Sequence, residues 1–226
     1  MKFKSCAYCG EPANQKEHVI PKCLYPKSKS KSKLQRLTVP ACNKCNNSWA
    51  DDEAHSRNML LLAGKKSSVV GELWETTRRS FDKDDGRKRL NDLFIQLKPV
   101  ETPDGNQYMV YPGKDERVIR IVRKVVRGLC YHHHVIWPVS DQQVWADVMK
   151  FVVPQQFLDE MAYCHREKDI IEYRYQVLNE SEIHTAWLLT FFERCTFIAL
   201  VSISKDGFLK SRNVSGLHSA LLSSSF

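Results

Sequence analysis

The sequence predicts an α+β protein built in two parts, residues 1–63 and 64–226, and three observations carry that expectation. Four cysteines stand as two Cys-x-x-Cys pairs, Cys6 with Cys9 and Cys42 with Cys45, separated by one long loop. Apolar residues recur at helical spacing through the middle of the chain and change to extended runs towards its end. The net charge of +8 is confined to the first 50 residues, where nine Lys and one Arg face only Glu11 and Glu17. At 226 residues with 42% hydrophobic side chains, the chain is long and apolar enough for a packed core.

The first part reads as a metal-stapled module. Two cysteines in each knuckle, with Gly10 after the first pair and Asn46-Asn47 after the second, supply the four soft ligands of a tetrahedral structural Zn²⁺. Inside the staple, Glu17 and His18 lead into Val19-Ile20-Pro21, a run that predicts a strand ending at the proline. Strand neighbours point to opposite faces, so this carboxylate and this imidazole are expected to take different roles, one on a metal and one on water. Between the knuckles, Lys27, Lys29, Lys31 and Lys33 alternate with serines, and Arg36 follows. A flexible basic loop of this kind is suited to track phosphates, which makes nucleic acid the expected partner. After the second knuckle, Trp49 to Ala63 predicts a helix with Asp51, Asp52 and Glu53 in its early turns. These acids can supply a second metal-facing carboxylate; His55 is another candidate ligand, read first as a lone polar residue of a solvated helix face.

The residues Cys6-Ala-Tyr-Cys9-Gly10, Glu17-His18-Val-Ile-Pro21 and Val39-Pro-Ala-Cys42-Asn-Lys-Cys45-Asn46 together resemble the HNH endonucleases with a ββα-metal site. The resemblance covers roughly the first quarter of the chain and implies a zinc-stapled, treble-clef-like ββα module. It implies that Glu17 binds a catalytic divalent ion, Mg²⁺ or Mn²⁺, that His18 activates the attacking water, and that Asn46 completes the ion's site, with Asn47 competing for that place. The family's middle Asn would fall near Leu37, where this chain has none, so the His18 ring is left to Asn14 or a backbone carbonyl for its orientation. The implied activity is hydrolysis of phosphodiester bonds, in DNA before RNA. Proteins of this kind also resemble those of bacterial defence and mobile-element systems, often beside an ATPase as partner. The alternative is a zinc module that binds nucleic acid or docks a partner without cutting.

The second part predicts helices over 67–81 and 86–98, with Lys83-Asp84-Asp85 as a turn between them, then a hairpin of Phe94-Ile-Gln-Leu with residues 107–111 across Thr102-Pro-Asp-Gly105. A further helix carries Val118, Ile121, Val122, Val125 and Leu129 on an apolar face and Arg117, Arg120, Arg123, Lys124 and Arg127 on a basic one, open to phosphate or to an acidic partner. It ends in His132-His133-His134, which cannot converge on one ion because consecutive helical residues lie about 100° apart. Residues 170–178 and 186–203 predict strands, the last two paired across Glu193-Arg194, with Trp187, Phe191, Phe192 and Phe197 as core aromatics. Cys23, Cys130, Cys164 and Cys195 read as free thiols. No signal peptide and no bilayer-spanning run is visible, so a cytoplasmic location without membrane contact is expected.

Overall fold

Two short strands open the fold, β1 (Gln15–His18) and β2 (Thr38–Ala41), paired antiparallel with Glu17 opposite Val39 and His18 opposite Thr38. The structure is a computed structural model and describes residues 5–29, 37–111, 114–150, 152–178 and 182–204. Strand β2 alternates, burying Val39 and Ala41, which turns one face of the hairpin to the core. Strand β1 stops at His18 and not at the proline, although the Val19 N–H still donates to the Leu37 carbonyl at 2.9 Å. Helix α1 (Asn43–Asn47) is capped by Cys42, and α2 (Ala50–Ala63) begins with its three acids in the first turn, where the helix dipole favours them. Asn46 lies inside α1, one turn after its cap.

Helix α3 (Ser68–Ser80) starts at Ser67, whose hydroxyl accepts the Val70 N–H at 3.2 Å. Helix α4 (Asp84–Gln96) takes Asp84 and Asp85 into its first turn, where the helix dipole favours acids, so they belong to the helix and not to the turn before it. It also takes Phe94, Ile95 and Gln96, which the sequence placed in a strand. The first strand of the hairpin is β3 (Lys98–Glu101), four residues later, paired with β4 (Gln107–Val110) around Gly105 at φ +80°. The sequence error has a simple cause, since a four-residue apolar run at a helix end carries no period long enough to separate strand from helix.

Helix α5 (Glu116–His132) is the centre of the molecule, packing against α2, β2, β5 (Val144–Val148) and β9 (Cys195–Ser202). After α6 (Gln155–Glu160) come β6 (Ala162–Glu167), β7 (Ile171–Val177) and β8 (Ile183–Phe191), and with β5 and β9 they form an antiparallel sheet in the order β5-β9-β8-β7-β6. The β8–β9 hairpin was expected; β5 and β6 were not. Trp187, Phe191, Phe192 and Phe197 are buried in the core, as expected.

The architecture is therefore mixed α+β. One cluster of buried side chains runs from Cys6 through Val19, Leu60 and Leu129 to Val201, so the N-terminal residues share their core with α5 and the sheet. At Gly128 a Cβ would stand 2.9 Å from Val19 Cγ1 and 3.2 Å from the Tyr8 hydroxyl, so α5 comes this close to the first knuckle because residue 128 has no side chain. Among the described residues, no helix is long and apolar enough to cross a membrane.

Candidate metal centre and carboxylate site

The two knuckles bring Cys6, Cys9, Cys42 and Cys45 together, with all four Sγ atoms within 4.8 Å of one another. Each knuckle directs a backbone N–H at its first sulfur: Tyr8 N–H at Cys6 Sγ and Cys45 N–H at Cys42 Sγ, both at 3.5 Å. Gly10 closes the first knuckle at φ +81°, its N–H donating to the Cys6 carbonyl at 2.9 Å. A tetrahedral ion with bonds of about 2.3 Å to sulfur sets neighbouring sulfurs about 3.8 Å apart. Cys9 and Cys42 Sγ lie at 3.7 Å. The thiols differ in setting: the Cys45 N–H draws Cys42 below its ordinary pKa, burial pushes Cys9 up, and burial followed by the Cys42 sulfur pushes Cys45 up. Four thiolates do not share this space without a cation, and the set could hold a metal ion such as Zn²⁺.

Beside the staple, β1 divides its two reactive residues as the pleat requires. Glu17 is turned inward and is 9% exposed, while His18 is half-buried on the other side. The Glu17 carboxylate accepts a hydrogen bond of 2.7 Å from the Lys124 ammonium, which comes from α5 and is fully buried. The same ammonium donates to Glu53 of α2. Of the three acids in the first turn of α2, Glu53 is therefore the one that joins Glu17; Asp52 pairs with Arg120 at 2.6 Å. Burial pushes the Glu17 carboxyl up and the Lys124 charge pulls it back only in part. Burial, followed by the Lys22 and Lys124 charges, lowers His18 below the ordinary histidine value, which leaves the ring neutral near pH 7.

Asn46 donates from its side-chain amide to Gln15 Oε1 at 2.5 Å, and Gln15 in turn donates to Asn43 Oδ1 at 2.5 Å. Gln15 shares a strand face with Glu17, about 7 Å along the chain. The hairpin and α1 thus meet through Gln15, the immediate side-chain partner of Asn46. Asn14 contributes a backbone N–H to the Ala41 carbonyl at 3.2 Å. Among the described residues, no hydrogen bond reaches the His18 ring.

The basic loop is seen in part. Lys27–Lys29 forms a single 3-10 turn in which Lys29 Nζ meets both Asp169 carboxylate oxygens at 2.7 and 2.5 Å, and Ser28 bonds Glu72. Lys31, Lys33 and Arg36 lie outside the described residues.

Two sequence expectations are corrected. His55 is buried, and its Nε2 lies 2.8 Å from the Asp115 carboxylate. The basic face of α5 is divided: Lys124, paired with Glu17 and Glu53, and Arg127 are buried, while Arg117, Arg120 and Arg123 stay partly exposed and pair with Asp115, Asp52 and Glu116. Arg127 donates to the Tyr8 carbonyl at 2.6 Å and the Val139 carbonyl at 2.8 Å. Gly128, set in that basic stripe, was the signal in the sequence, since a glycine inside a helix marks a close neighbour. Among the described residues, the four cysteines are the one group of three or more His, Cys, Asp or Glu side chains close enough to share an ion, and the three histidines are not such a group.

Comparison with protein-family models, with curated proteins and with solved structures finds no match for this chain.

Proposed function

We propose that the chain is a metal-dependent endonuclease of the HNH kind that hydrolyses phosphodiester bonds in nucleic acid, DNA before RNA, with a structural zinc in the four-cysteine staple. The observation that carries this reading is the convergence of Glu17 and Glu53 on one cation with a neutral His18 next to Glu17. Two carboxylates from different elements aimed at one positive charge are the oxygen-rich donor set that suits a hard divalent ion. Such an ion, when bound, would polarise the scissile phosphate and stabilise the charge that builds on it. Glu17 and Glu53 would hold it, and Asn46 is the nearby amide that can extend the set through Gln15. His18 accepts the proton of the attacking water as the new P–O bond forms and the bond from phosphorus to the leaving sugar oxygen breaks, that oxygen taking a proton from solvent; the ring can do so because its depressed pKa keeps it unprotonated at neutral pH. The +8 net charge and the serine-lysine segment supply attraction for a polyanion.

A second reading keeps the staple and the nucleic acid and drops the chemistry. It is favoured by the Lys124 pairing of Glu17, by the Gln15 pairing of Asn46 and by Leu37 in the position of the family's middle Asn. The two are separated by incubating the purified protein with plasmid, single-stranded DNA and RNA, with and without Mg²⁺ or Mn²⁺. Metal-dependent cleavage that is lost in His18→Ala supports the nuclease; binding without cleavage in every tube supports the second reading.

A further inference from the structure

We propose that Lys124 is the resident counter-ion of the Glu17–Glu53 pair and that a divalent ion and the Lys124 ammonium oppose each other there. This rests on the nuclease reading for its ion and goes beyond it in assigning a positioning role to a residue outside the first quarter of the chain. The ammonium is fully buried, so it cannot reach a substrate and is no phosphate ligand. Its two acceptors come from β1 and α2, and α5 is the element that brings the charge to both. Without it, two carboxylates would face each other in a largely buried space with no positive charge between them. Lys124 therefore performs in the metal-free protein the neutralisation that a dication would perform, and keeps both oxygens pointed at one place.

The same charge must weaken divalent binding. A dication on these carboxylates either displaces a fully buried ammonium or sits beside it and is repelled, and both cases give antagonism between the two cations. The arrangement lets the carboxylate pair fold without its ion and admits the ion at a cost set by α5.

The test is Lys124→Met, which keeps the length and removes the charge, compared with wild type in buffer stripped of divalent ions, zinc retained and verified in both. Mn²⁺ affinity is measured by calorimetry and thermal unfolding is followed across a Mn²⁺ series. The expected result is Mn²⁺ binding at least about tenfold tighter in Lys124→Met, with a melting temperature that starts below wild type and climbs more steeply as Mn²⁺ is added. Equal or weaker Mn²⁺ affinity overturns the proposal. So does a Lys124→Met chain that stays unfolded at every Mn²⁺ concentration, because the ion then does not stand in for the ammonium. Failure here is distinct from failure of the nuclease reading, since cleavage by wild type is read in a separate assay and does not depend on this variant.

Discussion

Arg127 reaches across 119 positions of the chain to donate a 2.6 Å hydrogen bond to the carbonyl of Tyr8, in the middle of the first knuckle. Its guanidinium also lies 5.3 Å from the centre of the Tyr8 ring. A helix of the second part thus holds the geometry of the staple in the first. Arg127→Met should leave the Tyr8 and Val139 carbonyls buried without their donor, at about 1–3 kcal/mol for each such group. Denaturant unfolding with metal retained is the measurement, together with the rate at which a chelator strips zinc. A variant as stable as wild type, losing metal no faster, would show that α5 does not secure the knuckle.

The staple itself should be a folding element. One zinc per chain is expected by metal analysis, and Cys42→Ser should unfold the N-terminal residues, because the free energy of a structural site, about 10 kcal/mol or more in small zinc modules, is folding free energy. Since these residues share a core with α5 and the sheet, the loss should spread past residue 63. A protein free of zinc, or a Cys42→Ser chain with native melting, would refute this.

Acid should act through the buried pair at the start of α5. Burial alone would raise the Asp115 carboxyl, but bonds from the Arg117 guanidinium, the Tyr111 hydroxyl and the Arg117 N–H hold it far below the ordinary value. Burial, then the Arg117 charge, holds His55 below its ordinary value too, so a neutral ring donates its Nε2–H to the carboxylate. In both groups the unfolded chain takes up the proton first as pH falls. The His55 contribution is complete above about pH 6.5 and fades below it, and that of Asp115 is complete above about pH 4 and fades below that. His55→Gln, which keeps an N–H donor, should flatten the first decline by up to about 1.4 kcal/mol per pH unit; Asp115→Asn should flatten the second. Stability–pH curves that coincide with wild type would contradict the assignment.

The staple was legible because metal ligation fixes residue type and spacing together, and the β8–β9 hairpin because its apolar run is long and interrupted once, at Glu193-Arg194. The polar edge strand β6 was not, since Tyr163, His165, Arg166 and Glu167 show no apolar alternation to count. The carboxylate site was half legible. Glu17 stood out beside His18, but selecting Glu53 from three adjacent acids needs the rotation of α2, and finding Lys124 needs the fact that a basic stripe can face inward when it meets buried carboxylates. Charge on a helix face reads as solvent exposure until its partners, 71 and 107 positions away, are known.

The salt dependence of nucleic-acid binding should divide the basic segment. Lys29 is already paired with Asp169, so Lys29→Gln alone should leave the slope of log affinity against log salt nearly unchanged. Replacing Lys27, Lys31 and Lys33 together should lower it by about 0.9 for every duplex-DNA phosphate that is no longer neutralised. If Lys29→Gln produced the larger drop, the Asp169 pair would have to open on binding, and the segment would be engaging the backbone in another arrangement.

The roles of His18 and Glu17 separate by what each removes. His18→Ala deletes the proposed proton acceptor and leaves both carboxylates and Lys124, so cleavage should fall by about 10²- to 10⁴-fold while zinc content, melting and substrate affinity are kept. Glu17→Gln removes one arm of the carboxylate pair and leaves the base, so activity should return in part at higher Mn²⁺, a recovery that His18→Ala should not show. The pH profile gives an independent reading. Because burial and the charges of Lys22 and Lys124 depress His18, the acid limb of kcat/KM should fall at a pH below the ordinary histidine value of about 6.5. In Lys124→Met that limb should move up, since one of the charges that depresses the ring is gone. A limb that stays fixed when Lys124 is neutralised, or a His18→Ala protein that cuts at the wild-type rate, would mean that the group accepting the proton lies elsewhere.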